Sequence, residues 1–104
     1  VESGIIYGLT AALYGQISIE DGKVKESNFH DYEMVRLSET PDIESILLES
    51  PGAPVGGLGE PATPPIAAAV SNAVFALTGQ RIRELPLKRY QFLPTPQEDG
   101  ARSA

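Results

Sequence analysis

The stretch Gly56-Gly57-Leu58-Gly59-Glu60-Pro61-Ala62-Thr63-Pro64-Pro65 runs directly into Ile66-Ala67-Ala68-Ala69-Val70-Ser71-Asn72-Ala73-Val74-Phe75-Ala76-Leu77-Thr78-Gly79. It closes a segment, residues 50–65, that holds five prolines and four glycines. Such a composition has little capacity for regular structure. A shaped loop is expected there, and loops on rigid scaffolds are where sites concentrate. Behind the loop, Thr63 is placed to cap a helix, with Pro64 and Pro65 in a first turn where missing N–H groups cost little. Ile66, Val70, Ala73, Val74 and Leu77 then share one helical face, and Gly79 stands where a left-handed residue ends a helix.

Upstream, residues 43–49 read as a strand with imperfect alternation. A polar break around Ser38-Glu39-Thr40-Pro41-Asp42 precedes it. Before that, residues 16–19 and 23–26 form two short alternating segments around Glu20-Asp21-Gly22. Asp-Gly in such a place is a strong hairpin signal, because both turn positions need positive φ. The second strand is expected to continue through residues 28–32. At the start, Ile5, Ile6, Leu9, Ala12 and Leu13 lie together at helical spacing, with Ser3 as cap and Gly15 as the terminating residue. Gly4 and Gly8 are one turn apart in that helix. They serve either a close approach of another backbone or nothing in particular. The order is helix, two or three strands, loop, helix: an α+β unit with antiparallel strands. Residues 94–104 are polar and aperiodic, and are expected to be a disordered tail.

Composition narrows the function. A chain of 104 residues allows one modest domain with a marginal core. A net charge of −6 argues against nucleic acid or an anionic membrane surface as the main partner. With no cysteine, the chain offers neither disulfides nor thiolate ligands for zinc or an iron–sulfur cluster. No apolar run approaches the roughly 18 to 20 residues that span a bilayer. The first residues, Val1-Glu2-Ser3-Gly4, lack an initiator Met and a basic leader, so a piece of a longer polypeptide is expected and the compartment stays open.

Three roles fit the glycine loop. A dinucleotide fingerprint fits poorly: Gly57-x-Gly59-x-x-Ala62 has the spacing, but no strand feeds it and Glu60 sits where pyrophosphate would lie. The loop can be purely structural, with Glu60 as a favourable charge at a helix start, worth roughly 0.3–1 kcal/mol. Or Glu60 is a general base, its direction limited by Gly59 and Pro61. A carboxylate serves that role near neutral pH when partial burial disfavours its charged form. Position alone favours the structural role. His30, the lone histidine, fits a surface or hydrogen-bonding position better than a metal ligand. Asp31 and Glu33 beside it are a candidate acid pair without a defined task. Arg81 and Arg83 fit salt bridges or subunit contacts.

Read as a set, three segments carry a resemblance. Residues 56–65 with the helix after them resemble the Gly-x-Gly-Glu segment of the xanthine dehydrogenase/aldehyde oxidase family of molybdenum hydroxylases. Ser27-Asn28-Phe29-His30-Asp31-Tyr32 resembles that family's Asn-Phe-x-Asp-Tyr segment. Val1-Glu2-Ser3-Gly4-Ile5-Ile6-Tyr7-Gly8-Leu9 resembles the segment that follows a cofactor-contacting glutamine. The Glu60-Pro61 loop and the run Gly79-Gln80-Arg81-Ile82-Arg83-Glu84-Leu85-Pro86 look most like the isoquinoline 1-oxidoreductase β-subunit and bacterial aldehyde dehydrogenase type.

The resemblance implies that residues 1–93 are the C-terminal portion of a molybdopterin-binding domain in a large subunit. It implies Glu60 as base toward the Mo–OH and the Gly56, Gly57 and Gly59 backbone against the cofactor. It further implies a molybdenum cofactor, as the cytosine dinucleotide, an iron–sulfur partner subunit, and an aldehyde or N-heterocycle substrate hydroxylated with oxygen from water. No protein side chain is expected to ligate the metal. Most of the pterin shell would lie in the remainder of the large subunit, so the chain alone is expected to be inactive and free of cofactor. The other outcome is a non-catalytic α+β packing or interaction module.

Overall fold

The computed structural model describes residues 1–91; the expected tail at 94–104 lies outside the described residues. The elements are α1 (Glu2–Leu13), β1 (Ile19–Glu20), β2 (Lys23–Val24), a 3₁₀ turn at Leu37–Glu39, α2 (Ile66–Thr78) and a second 3₁₀ turn at Leu87–Arg89. This is the expected α+β order. The strands are antiparallel, with Ile19 opposite Val24 and Glu20 opposite Lys23. Asp21 and Gly22 take φ of 51° and 74°, the two positive values that the tight turn demands. The ladder is shorter than expected, but Lys25 N–H still donates to the Ser18 carbonyl at 2.9 Å. Ser18 N–H donates to the Glu26 carboxylate at 2.8 Å, which lowers the Glu26 pKa.

Four local expectations are corrected. α1 begins at Glu2 after Val1 as its cap, so Ser3 lies inside the first turn and caps nothing. Tyr14, not Gly15, ends that helix, with φ of −126°. α2 begins at Ile66 behind Pro65, and the Thr63 side chain has turned elsewhere. Residues 28–32 form a turn rather than a strand. Ser27 N–H donates to both Asp31 carboxylate oxygens (3.0 and 2.9 Å), and Asn28 N–H donates to one of them at 3.0 Å. A carboxylate close enough to satisfy two successive amides favours a bend over an extended ladder. Gly79 ends α2 as expected, with φ of 72° and its N–H donating to the Phe75 carbonyl.

The Asp31 bend carries a pH dependence. The Asn28 and Ser27 amides hold the Asp31 carboxyl below the ordinary carboxylate range. A carboxyl whose pKa is depressed by folding stabilises the bend above its unfolded value and ceases to do so as pH falls through the lowered one. Amide protection of residues 26–32 in the full-length subunit is therefore expected to hold at neutral pH and to collapse only in strong acid. Asp31→Asn should remove that transition, as read by hydrogen exchange.

Residues 43–49 are not a strand. They carry no regular element, and Ile46, Leu47 and Leu48 are 76%, 69% and 88% exposed. A strand needs a partner edge to satisfy its backbone groups, and among the described residues 43–49 make no backbone hydrogen bond to another segment. The core is correspondingly thin. Apart from glycines, Ala12, Ile82, Pro86 and Leu87 are the buried apolar residues among those described, and no large side chain is fully buried. Burying one leucine yields about 1.5–3 kcal/mol, and only two large side chains gain anything near that here. The isolated chain is expected to melt without a cooperative transition. A sharp calorimetric peak near the roughly 0.7 kcal/mol per residue of globular domains would contradict this.

What order there is comes from α1. It packs on α2 and on the Leu87–Arg89 turn. Its buried positions are Gly4, Gly8, Thr10 and Ala12, and Thr10 Oγ1 accepts the Val35 N–H at 3.2 Å. Tyr14 donates its hydroxyl to Glu39 at 3.1 Å, a bond that raises the Tyr14 pKa and ties the helix end to the first 3₁₀ turn.

Candidate functional site

The two glycines of α1 make a close approach, not an idle pair. A Cβ added at Gly8 would lie 2.7 Å from the Thr63 carbonyl oxygen and 3.0 Å from the Ile66 side chain. One added at Gly4 would lie 3.1 Å from the Gly59 carbonyl oxygen. The loop after Gly59 therefore lies directly on the bare face of the helix. Thr63 fastens it, donating its hydroxyl to the Gly4 carbonyl at 2.9 Å. The Thr63 N–H closes the turn behind Glu60 by donating to the Glu60 carbonyl at 2.9 Å.

Glu60 stands between two hollows. One, of about 400 Å³, is lined by Ser3, Gly4 and Tyr7 from α1 and by Gly59, Glu60, Thr63 and Pro64. The other, of about 530 Å³, is bordered by Gly57, Gly59, Glu60, Pro61 and Pro64. The helix-terminus role for Glu60 loses its support. α2 starts six residues later, at Ile66, with no acidic residue in its first turn. The dipole's influence fades within about one turn of the helix end. Glu60 is exposed, and no described part of this chain covers it.

The glycines divide. Gly57 and Gly59 share a hollow with Glu60, while Gly56 borders only a second groove, which Gly57 also lines, with residues 48–51, 53–55 and Leu58. None of the three has positive φ, and a Cβ at any of them would meet nothing within 4 Å. Neither turn geometry nor packing within these residues requires glycine there. An open, glycine-rich edge beside a carboxylate fits a bulky group laid against backbone.

Ser3, Tyr7 and Thr63 join the site without having been singled out for it. The Gly4-x-x-x-Gly8 spacing was the signal for α1; nothing in the spacing marked Thr63 as its partner. His30 is a surface side chain, 73% exposed and 3.7 Å from Asp31. Asp31 and Glu33 do not form an acid pair, since Asp31 serves its own turn and Glu33 pairs with Lys88 at 3.3 Å. Arg81 donates to Asn72 at 3.1 Å and lies 3.6 Å over the Phe75 ring, a cation–π contact that holds the chain leaving α2 against it. Among the described residues no cluster of three metal-ligating side chains occurs, and no helix is long and apolar enough to cross a membrane.

No protein-family model matches the chain. Individual proteins do. It is 40% identical over 88 residues to the isoquinoline 1-oxidoreductase subunit beta of Brevundimonas diminuta, covering 85% of this chain and 11% of that protein. It is 32% identical over 87 residues to a membrane-bound aldehyde dehydrogenase of Gluconacetobacter polyoxogenes, covering 84% and 11%. It is 38% identical over 93 residues to a putative xanthine dehydrogenase molybdenum-binding subunit of Escherichia coli K12, covering 84% and 12%. The names differ in cofactor: the aldehyde dehydrogenase's carries pyrroloquinoline quinone, the xanthine dehydrogenase's molybdenum. The chain spans about a tenth of the length of the curated relatives it matches. With 84–85% of its length shared with these proteins, the chain belongs to the xanthine dehydrogenase/aldehyde oxidase family of molybdenum hydroxylases, as a segment of the large subunit.

Proposed function

We propose that this chain is the C-terminal portion of a molybdopterin-binding domain, residues 1–93, and that it supplies the general base of a molybdenum hydroxylase. The substrate class is an aldehyde or an N-heterocycle, hydroxylated with oxygen from water. The observation that carries the reading is the placement of Glu60. It lies between two hollows, on a turn fastened to α1, and too far from α2 to act as that helix's terminal charge.

The open glycine edge fits the molybdenum cofactor in its cytosine dinucleotide form. The Gly57 and Gly59 backbone would lie against it beside Glu60, with Gly56 further along the same strip of chain. When bound, the cofactor would supply the redox chemistry, with an iron–sulfur subunit as the partner that would accept the electrons. The chain's own contribution is a carboxylate that takes the proton from the attacking water-derived hydroxyl, and a rigid turn that aims it. The remainder of the large subunit supplies the cover that Glu60 lacks here and completes the cofactor shell. The chain alone is accordingly inactive. Glu60→Gln in the full-length enzyme, assayed for turnover and metal content together, tests the assignment.

A further inference from the structure

We infer that Thr63 is the positioning residue for Glu60: its hydroxyl hydrogen bond to the Gly4 carbonyl sets where the carboxylate stands. The inference rests on Glu60 being the base. Thr63 holds the turn at two points. Its N–H donates to the Glu60 carbonyl at 2.9 Å, so Glu60-Pro61-Ala62-Thr63 moves as one closed turn. Its Oγ1 donates to Gly4 of α1 at 2.9 Å, across 59 positions of sequence.

That hydroxyl bond is partly buried, and it lies beside the points where α1 and the loop come closest. Proline at 61 and 64 and the closed turn make the segment stiff, so a shift at Thr63 is transmitted to Glu60 rather than absorbed between them. Among the described residues no side-chain hydrogen bond holds the Glu60 carboxylate, so the point from which it extends is set by the backbone. A displacement of about 1 Å at a reacting group can cost about 10²-fold in rate. Thr63 touches neither reacting atom in this scheme; it acts through the turn.

The test uses the full-length enzyme with its partner subunit and compares Thr63→Val, Thr63→Ser and Glu60→Gln. Valine keeps the shape and removes the donor; serine keeps the donor. Thr63→Val is expected to lower kcat about 10-fold or more, with KM and molybdenum content near wild type. Hydrogen exchange of residues 59–63 should rise in the same variant. Thr63→Ser should restore both the rate and the protection. Wild-type kcat and exchange in Thr63→Val, beside an inactive Glu60→Gln, would overturn the inference while leaving the base in place. A loss that serine does not restore would overturn it too, by pointing to the methyl group. If Glu60→Gln stays active, the base assignment falls, and the exchange data still decide whether Thr63 anchors the turn. Should Thr63→Val not assemble, Thr63→Ala removes the donor without adding a methyl group and is read in the same way.

Discussion

Glu60→Gln in the full-length enzyme is expected to lower turnover by at least about 10²-fold with folding and molybdenum content unchanged. Glutamine matches the carboxylate in size and keeps a hydrogen-bonding oxygen, but it cannot take a proton at working pH. The substitution is mild in structural terms because, among the described residues, the Glu60 side chain anchors nothing. The turn behind it is closed by backbone, through Thr63 N–H and the Glu60 carbonyl, and glutamine leaves that bond alone. A fall in rate therefore reports lost proton transfer and not a collapsed loop. Glu60→Asp, which keeps the base but draws it back by one methylene, should fall between the two.

Gly8→Ala should have the next largest effect. The added methyl carbon would stand 2.7 Å from a backbone oxygen and 3.0 Å from two atoms of Ile66. The oxygen belongs to Thr63 and cannot swing aside as a side-chain end does, so helix and loop must separate. Overpacking of this kind typically costs about 1–3 kcal/mol, and here it also pushes on the turn that carries Glu60. We expect a lower melting temperature for the full-length subunit, greater protease sensitivity across residues 56–65, and turnover reduced by about 10-fold or more. Ala11→Gly, on the exposed side of the same helix, costs α1 about 1 kcal/mol of intrinsic stability. It should leave the rate unchanged, which separates crowding from helix propensity.

How far the sequence could be read depended on where each element finds its partners. Asp21-Gly22 and Gly79 were legible because their requirement is local: a positive φ at a defined position. The composition of residues 50–65 likewise announced a loop without reference to anything outside it. Residues 43–49 were not legible as they stand here, because a strand exists only when an edge receives it. Thr63 was misread as a cap for a similar reason. The Pro64-Pro65 pair displaces the start of α2, and the hydroxyl then satisfies a carbonyl 59 residues away. Gly4 and Gly8 were ambiguous until the loop was seen lying on them. Glu60 is the instructive case. Its spacing before a proline-led helix favoured a terminal charge, and the true start of α2 at Ile66 removes that role. Its proposed part as a base came from the ordered resemblance of three segments, and its location between two hollows supports that proposal.

The most direct test is a single turnover. Purified full-length enzyme, wild type and Glu60→Gln, is mixed anaerobically with substrate, and the first cycle of substrate oxidation is followed before any electron acceptor takes part. Equal metal loading and equal substrate binding with a first-cycle rate at least about 10²-fold slower in the variant is the result expected if Glu60 takes the proton. A first-cycle rate indistinguishable from wild type would contradict it, and would leave the loop as packing alone.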